Sequence, residues 1–379
     1  MIPATLTVTD ATNIRWDAVV IGAGPAGAVA AHGLARNGAR TLLVDRATFP
    51  REKVCGCCLN ANALNALNSA GLGHVPTNLG AVPLDGVQLA AGMRTARLRW
   101  PSGASVSRWA LDAALIREAI QAGVAFLPNT RAVMTPDITR EQRVTLHTSE
   151  ETGTASARVV VIADGLNGQM ASKPVGDSRI GAGTVLVDGP DWYVRGTVYL
   201  AAGVGGYVGL VRVEDGRLDV AAAFDAAWIR RTGGLGPAAT TTLQEAGMPA
   251  WDALGSATWK GTPALTRTSQ RVAGHGWFVI GDAAGYVEPF TGEGMGWAMA
   301  SAVAVVPFVM RGVSQSSDEL ATDWTRTHRK LIRQRQGICR GIAWVLRRPA
   351  LSSALVRFLN VVPSAARPVV HALHRQGRV

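Results

Sequence analysis

The chain has 379 residues, of which 47% are apolar and 17% are charged. This composition excludes a disordered protein and predicts a folded chain of two lobes, or of one lobe with an insertion, because one small core rarely spans such a length. Three of the four cysteines are clustered at residues 55–58, which excludes the disulfide framework of a small secreted protein. Residues 1–16 lack a basic segment followed by an apolar one, so we expect no signal peptide and a cytoplasmic location with reduced thiols.

The first elements in chain order predict a βαβ unit. Residues 17–22 are apolar and β-branched, as in a buried strand, and residues 41–45 predict a second strand. Residues 25–37 between them predict a helix with Pro25 in its first turn and Gly38 at its end. A strand, a helix and a strand in this order predict a parallel sheet.

The turn between the first strand and the helix matches the pattern G-x-G-x-x-G. Gly22 turns the chain, Gly24 admits a diphosphate, and Gly27 allows the helix to approach the strand closely. Free N–H groups at the helix N-terminus would bind the phosphates. The dinucleotide-binding residues predicted here are Gly22, Gly24, Pro25, Ala26 and Gly27.

An acidic residue follows the second predicted strand, as dinucleotide binding requires. Asp45 would accept hydrogen bonds from an adenosine ribose, which suits FAD or NAD and disfavours a 2′-phosphate. The neighbouring Arg46 keeps NADP open as an alternative. Both residues are therefore predicted to bind the cofactor.

The middle of the chain predicts a second, strand-rich lobe. Residues 79–107 alternate in short strand-like pieces around turns, residues 110–122 predict a helix, and residues 158–163 predict a buried strand. Residues 176–270 are interrupted by glycines and predict mainly strands, with no further nucleotide-binding pattern.

A further glycine-rich segment follows the strand predicted for residues 277–281, and it leads into a helix from about residue 294 to 311. The apolar run from Gly294 to Met310 nearly reaches the length of a membrane span. It contains Pro307 and follows a loop, so we expect a buried helix.

This segment resembles the second flavin fingerprint of the superfamily of FAD-dependent aromatic hydroxylases, flavin halogenases and geranylgeranyl reductases, in which GD is followed by a proline. The resemblance implies that Asp282 binds the ribityl chain of FAD, and that Pro289 and residues 292–295 lie along the isoalloxazine. A helix N-terminus directed at the flavin also stabilises the negative charge of the reduced ring. The FAD-binding residues implied by this segment are Gly281, Asp282, Pro289, Gly292, Gly294 and Met295.

Two further segments extend the resemblance. Residues 49–56 are similar to the PRxKxCG loop of geranylgeranyl-reductase-like members and related monooxygenases. Arg108 and the helix after it are similar to the R…LD…L segment, whose arginine lies near FAD. The resemblance implies that Lys53, Cys55, Gly56 and Arg108 bind FAD.

The chain departs from the superfamily after Asp164. Hydroxylases usually carry DGxxSxxR here, whereas this chain has Gly168 at the serine position and Ala171 at the arginine position. The segment is linked to the handling of FAD and NAD(P)H. We expect Asp164 to bind FAD and NAD(P)H to be the electron donor, with a separate reductase as the alternative. The WxWxIP motif of tryptophan-type halogenases is absent, which disfavours a halogenase.

The sequence leaves the catalytic residues unassigned. The candidates that the resemblance places near the flavin are Cys55, Cys57, Pro289, Gly292 and Glu293. The C-x-C-C cluster lacks the spacing of paired metal ligands, and the histidines show no ligand spacing either, so no metal site is predicted. Packing of small residues is the simpler interpretation of Cys57 and Cys58.

The positive charge is concentrated in the C-terminal region. Residues 311–379 hold 13 Lys or Arg and three acidic residues, which accounts for nearly all of the net charge of +11. Two interpretations stay open: contact with an anionic membrane surface or an access path for a lipid, and helices that pack on the body with solvated arginines. Nucleic-acid binding is not expected, because no recognised nucleic-acid module accompanies the charge.

The expected fold class is α/β, with a Rossmann-type FAD-binding domain, an inserted β-sheet substrate domain and C-terminal helices. The expected domains are 1–75, 106–170 and 271–310 for FAD, 76–105 and 171–270 for the substrate, and 311–379 for the basic helices. The expected function is an FAD-dependent monooxygenase of secondary metabolism that hydroxylates an aromatic, phenolic or lipid-like hydrophobic molecule. The alternatives are a geranylgeranyl-reductase-like enzyme that saturates C=C bonds of a prenyl lipid, and a non-enzymatic flavin-binding electron-transfer or sensor protein.

Overall fold

A computed structural model describes residues 1–100, 102–135, 141–170, 174–269, 271–288, 292–315 and 318–374. Its strands, in chain order, are β1 (Arg15–Ile21), β2 (Thr41–Val44), β3 (Cys58–Asn60), β4 (Val82–Pro83), β5 (Gly86–Ala91), β6 (Arg94–Arg99), β7 (Gly103–Ser105), β8 (Ala125–Leu127), β9 (Arg131–Thr135), β10 (Gln142–His147), β11 (Thr152–Ile162), β12 (Ile180–Leu186), β13 (Thr197–Gly203), β14 (Gly206–Arg212), β15 (Leu218–Phe224), β16 (Lys260–Ala264), β17 (Arg267–Thr268), β18 (Ala273–Gly274), β19 (Trp277–Val279) and β20 (Gly285–Tyr286).

The α-helices, in chain order, are α1 (Val8–Asn13), α2 (Pro25–Arg36), α3 (Ala61–Ser69), α4 (His74–Asn78), α5 (Arg108–Gln121), α6 (Ala226–Thr232), α7 (Leu235–Ala246), α8 (Asp252–Ser256), α9 (Glu293–Ser314), α10 (Asp318–His328), α11 (Gln334–Leu346), α12 (Pro349–Val361) and α13 (Arg367–His374). Short 3₁₀ turns occupy Gly165–Asn167, Gly281–Ala284 and Pro363–Ala366, and a π-helical turn joins α10 to α11.

The first sheet has a parallel centre in the strand order β19-β11-β1-β2-β8. Val19 of β1 lies between Val160 of β11 and Leu42 of β2, and all three side chains are fully buried. Continuous apolar strands of this kind form where helices cover both faces of a parallel sheet. Because the strands run in the same direction, their carboxyl ends meet at one edge, and the site described below lies at that edge.

The second sheet has seven strands in the order β16-β12-β15-β14-β13-β5-β6, and β13 and β5 are its parallel pair. Residues alternate between its two faces along β13. Tyr199 and Ala201 pack in the core beneath α7, whereas Val198 and Leu200 line a cavity on the opposite face. This period of two is the pattern of a sheet with two different environments. The predicted α/β architecture, with an inserted β-sheet domain and C-terminal helices, is confirmed. The domain bounds themselves stay a prediction.

Part of the region predicted to be mainly strands is helical instead. Residues 226–256 contain α6, α7 and α8. Gly233 and Gly247 end α6 and α7 in the left-handed conformation, with φ of 87° and 80°. These glycines end helices and do not interrupt strands, so the prediction of mainly strands is wrong for residues 226–256.

The long apolar helix predicted for residues 294–311 is α9, and it continues through Pro307. Within the described part of the chain, α9 is the helix that is long and apolar enough to span a membrane, but 61% of its apolar window is buried in the protein. It packs against α2 and α3, so it is a core helix of the first domain.

Candidate active site

Four segments that the sequence singled out converge at the carboxyl edge of the parallel sheet. β1 leads into Gly22, β2 into Asp45, β11 into Asp164, and β19 into the turn that contains Asp282. Three of these four strands are direct neighbours through β1. Residues far apart in the chain therefore line one continuous cavity of about 870 Å³.

The first glycine turn brings the N-terminus of α2 against the sheet edge. Gly22 has a φ of 103°, and a Cβ there would lie 2.4 Å from the carbonyl oxygen of Ala163. A Cβ at Gly27 would lie 1.7 Å from the carbonyl oxygen of Gly22, which is far inside contact distance. Glycine at both positions is required for this close approach of the helix to the strand.

Asp45 is held in place at the end of β2 by backbone donors. The N–H of Ala23 donates to its Oδ2 at 2.7 Å, and the N–H of Ala47 donates to its Oδ1 at 2.8 Å. The side chain is 9% exposed and lines the cavity beside Arg46. A carboxylate fixed in this position can accept further hydrogen bonds from ribose hydroxyls.

The space in front of the α2 N-terminus fits a diphosphate. The nearest atoms to a Cβ built on Gly24 are the Nη2 atoms of Arg108 and Arg51, at 3.8 and 3.9 Å, so open space with two guanidinium groups surrounds this point. Asp112 holds Arg108 through two hydrogen bonds of 2.7 Å. The buried Nε of Arg51 has no hydrogen-bond partner among the described residues. Positive charge, an unpaired donor and a free helix N-terminus are the groups that bind the diphosphate of FAD.

Asp282 lies in the turn after β19, opposite cationic groups. Burial raises the pKa of the Asp282 carboxyl, and the positive charges of Lys53 and Arg108 oppose that rise. Burial also lowers the pKa of the Lys53 amine, followed by repulsion from Arg108 and Arg51. The half-buried carboxylate faces the cavity, where it can accept hydrogen bonds from polyol hydroxyls such as those of a ribityl chain.

Asp164 differs from the other acidic residues at this edge because its turn folds back over it. The N–H of Gln169 donates to its Oδ2 at 2.8 Å, whereas its buried Oδ1 has no partner among the described residues. A Cβ at Gly168 would lie 1.8 Å from that Oδ1. The missing serine is therefore what lets the carboxylate occupy this place. Burial raises the pKa of Asp164 to about 6. Ala171, the other departure, lies outside the described residues.

The clustered cysteines form a hydrogen-bonded pair beside Arg108. A hydrogen bond from Cys57 and the charge of Arg108 lower the pKa of the Cys55 thiol to about 6, although burial opposes this. The same hydrogen bond, together with burial, raises the pKa of Cys57. Burial raises the pKa of Cys58 and of Asp219. Cys55 is therefore the thiol in this cluster that can exchange a proton near neutral pH.

The loop before α9 completes the cavity, although its glutamate does not face it. Gly292, Gly294 and Met295 line the cavity. Glu293 is 1% exposed and is not among the residues that line the cavity; its Oε1 accepts a 2.7 Å hydrogen bond from Asn60. This contact ties α9 to the start of α3. Pro289 lies outside the described residues.

The opposite wall of the cavity is the apolar face of the second sheet. It is formed by residues of three neighbouring strands: Val198, Leu200, Tyr207, Val211, Ala221 and Ala223. A Cβ at Gly183 would lie 3.2 Å from Val54, so the loop with Lys53 and Cys55 lies directly on this sheet. A hydrophobic substrate can therefore occupy the same cavity as the polar cofactor cradle.

The structure brings most of the predicted cofactor residues together. Those that line the cavity are Gly22, Gly24, Pro25, Ala26, Asp45, Arg46, Lys53, Cys55, Gly56, Cys57, Arg108, Asp164, Asp282, Gly292, Gly294 and Met295. Gly27 and Gly281 do not line it and act through packing, because a Cβ at Gly281 would lie 2.9 Å from the Cβ of Ala26.

Arg51 and the tyrosines Tyr207 and Tyr286 also line the cavity and were not predicted from the sequence. Arg51 stands inside the loop that carries the resemblance, so its place next to Lys53 was the available signal. The tyrosines had none, because strand pairing decides which face they occupy. No group of three or more metal-ligating side chains occurs among the described residues.

The N-terminal part of the chain matches a family of known proteins. Residues 15–188 match the FAD binding domain family FAD_binding_3. Menaquinone reductase of Mycobacterium tuberculosis is 29% identical over 380 residues, which cover 90% of this chain and 85% of that protein.

Solved structures share the fold over nearly the whole chain. A flavoprotein/dehydrogenase from Cytophaga hutchinsonii superposes with a TM-score of 0.80 at 17% identity, covering 95% of this chain and 93% of that one. The probable FAD-dependent monooxygenase pqsL from Pseudomonas aeruginosa superposes with a TM-score of 0.74 at 17% identity, covering 90% of this chain and 99% of that one.

Proposed function

We propose that this chain, which belongs to the superfamily of FAD-dependent oxidoreductases, is an enzyme that reduces a C=C bond of a prenyl-bearing, quinone-like lipid. The observation that carries the proposal is the single cavity in which the FAD cradle faces an apolar sheet wall. Bound FAD would supply the reducing equivalents, and the residues described above would hold its diphosphate, ribose and ribityl chain.

The reaction requires a hydride for one carbon and a proton for the other. Cys55 lines the cavity next to Arg108, and its pKa of about 6 suits a group that gains and loses a proton near neutral pH. Cys57 orients it by donating a hydrogen bond. We assign the proton transfer to Cys55 and the binding of the apolar chain to the wall of the second sheet.

Similarity to the menaquinone reductases supports this choice of substrate class over a small polar aromatic. It extends over nine-tenths of the chain and therefore includes the second sheet as well as the FAD-binding segments. Menaquinone is a quinone with an isoprenoid tail, which is chemically compatible with the apolar wall.

The second candidate is monooxygenation of a hydrophobic or phenolic molecule, the function that the sequence favoured. The buried apolar wall also favours it, because oxygen transfer requires exclusion of water from the reacting flavin. The two candidates differ in whether the reduced cofactor meets an alkene or oxygen.

One experiment separates the candidates. The holoenzyme is reduced without oxygen and mixed with menaquinone or with a geranylgeranyl lipid, and flavin absorbance and product mass are followed. We expect reoxidation of the flavin without oxygen and, after air has returned any quinol to the quinone, a product that stays heavier by two hydrogen atoms. Reoxidation only after oxygen is admitted, with a product heavier by one oxygen atom, would establish monooxygenation. No substrate-dependent reoxidation under either condition would contradict both.

Variants assign the roles of the cavity residues. Cys55→Ser should keep FAD but slow the reoxidation, whereas Cys339→Ala, a buried thiol outside the cavity, should leave the rate unchanged. Asp282→Ala should release FAD on gel filtration. Full retention of FAD in Asp282→Ala would contradict the assignment of this turn.

The electron donor and the compartment also belong to the proposal. We propose NAD(P)H as the donor, tested by anaerobic reduction of the holoenzyme with NADPH or NADH; reduction by neither would indicate a partner reductase. A cytoplasmic location is supported by the four cysteines, all of which are free thiols.

A further inference from the structure

Helix α12 carries two apolar stripes, and the body of the protein covers one of them. Ser352, Val356 and Leu359 are buried against β5 and β6. A second stripe, spaced at i, i+4, i+7 and i+11 and continuing just past the helix end, stays exposed. Its residues are Leu351 (41% exposed), Leu355 (41%), Phe358 (53%) and Val362 (39%). Residues at this spacing share one helix face, so the exposed stripe is continuous.

The segments before, within and after α12 carry exposed basic side chains, and the sequence from residue 324 onwards has no acidic residue. Arg340, Arg348, Arg357 and Arg367 are exposed, and no Asp or Glu follows Asp323 in the chain. Arg348 covers the exposed Trp344 ring with its guanidinium at 3.8 Å from the ring centre. We call these four arginines, Trp344 and the exposed stripe of α12 the basic apolar face.

The helices that carry this face are anchored to the body. Arg347 donates to the backbone oxygen of Asp177 at 2.7 Å and pairs with Asp225 and Glu288 at 3.5 Å each. Glu288 is buried and also pairs with Arg179 at 3.1 Å. The exposed stripe is therefore presented by a packed helix.

We propose that the basic apolar face binds the surface of an anionic lipid bilayer. Apolar side chains at helical spacing between arginines are the pattern of a helix that lies in the membrane interface, where anionic headgroups pair with the arginines. A second copy of the chain fits less well, because a symmetric contact would place arginines against arginines. A nucleic acid would pair with the arginines but leave the apolar stripe in water.

The helices that carry the basic apolar face pack with their buried side against the apolar wall of the cavity. Leu346, Val356 and Leu359 of the C-terminal helices form one hydrophobic cluster with Tyr207 and Leu265, which line the cavity. Membrane binding would bring the cavity close to the bilayer. The proposal goes beyond the assigned reaction and does not depend on it, because it concerns the outer surface of α12.

Vesicle binding by the holoenzyme tests the proposal. Sedimentation with vesicles of phosphatidylcholine alone is compared with vesicles that also contain phosphatidylglycerol. We expect binding to the anionic vesicles that weakens with added salt. Absence of binding to anionic vesicles, or equal binding to both kinds, would overturn the proposal.

Two double variants separate the apolar and the basic contributions. Leu355→Ser with Phe358→Ser, and Arg348→Gln with Arg357→Gln, should each weaken the vesicle partition about tenfold or more. The matched control is Val187→Ser with Arg143→Gln, which changes an exposed apolar and an exposed basic residue elsewhere. Flavin absorbance of each variant reports that the fold is retained.

Three outcomes with these variants would contradict the proposal. The control could weaken vesicle binding as much as the face variants do. Sedimentation velocity could show that Leu355→Ser with Phe358→Ser converts a dimer to a monomer, which would make the face a self-association surface. A DNA duplex could displace the parent protein from the vesicles, and Arg348→Gln with Arg357→Gln could abolish binding to DNA without weakening binding to vesicles.

Discussion

Gly24→Ser should weaken FAD binding without weakening the fold. Gly24 has a φ of −70°, which any residue adopts, and it is the N-cap of α2. The nearest atoms to an added Cβ are guanidinium nitrogens at 3.8 and 3.9 Å, so the protein itself has room for the side chain. Serine is also a better N-cap than glycine by a few tenths of a kcal/mol, so the stability of the apoprotein should be equal or slightly higher.

The loss appears when the cofactor binds. The added side chain occupies the space through which a diphosphate approaches the α2 N-terminus between Arg51 and Arg108. Loss of one charge-assisted hydrogen bond costs about 1.5–3 kcal/mol, which corresponds to an increase in Kd of roughly tenfold to hundredfold.

Gly27→Ala is the matched control, because it should act on the fold first. Its Cβ would lie 1.7 Å from the carbonyl oxygen of Gly22, which is backbone and cannot rotate away. Alanine favours a helix interior by about 1 kcal/mol, and the forced shift costs about 3 kcal/mol or more, so the net loss is about 2 kcal/mol. Because the unfolding entropy of a chain of 379 residues is about 0.8 kcal/mol/K, the melting temperature of the apoprotein should fall by about 2–3 °C.

Quenching of flavin fluorescence on titration into apoprotein gives the Kd, and circular dichroism gives the melting temperature. If Gly24→Ser binds FAD as tightly as the parent, the diphosphate does not lie at the α2 N-terminus. If Gly27→Ala melts with the parent, the helix is not held as closely to the strand as the structure shows.

Three further predictions follow from titratable and paired groups. The rate of Cys55 alkylation by iodoacetamide should show a midpoint near pH 6, and Cys57→Ala should move that midpoint upward. Because the pKa of the Cys55 thiol lies below its ordinary value of 9.0, its thiolate stabilises the fold at high pH, and this contribution is lost as the pH falls through 6. The parent protein should lose stability as the pH rises from about 4 to 6, because burial raises the pKa of Asp164 and its ionised form is disfavoured in the fold. Asp164→Asn should abolish this loss, measured as the midpoint of urea unfolding. Arg179→Met should destabilise the protein by about 3–5 kcal/mol by leaving Glu288 buried with only the more distant Arg347, and a double variant with Glu288→Gln should recover part of the loss on urea unfolding.

The chain by itself determined the elements that carry local chemistry. The G-x-G-x-x-G turn, Asp45 and the segment at Asp282 were predicted from a strand, a glycine pattern and an acidic residue, and each lies at the end of a parallel strand. Such patterns are readable because the turn, the helix N-terminus and the strand end are contiguous in the chain. The helices at residues 226–256 were missed, because their terminal glycines serve strands and helices alike.

Only the tertiary structure decided which distant residues share the cavity. Arg51 meets Arg108 in front of Gly24, and the loop of Cys55 lies on strands more than one hundred residues away in sequence. Glu293 was expected near the flavin, but helix rotation turns it towards Asn60. Strand order and helix rotation arise from packing among all elements, which no local pattern encodes. The basic apolar face likewise required the structure, because charge and hydropathy do not reveal which stripe of α12 the body covers.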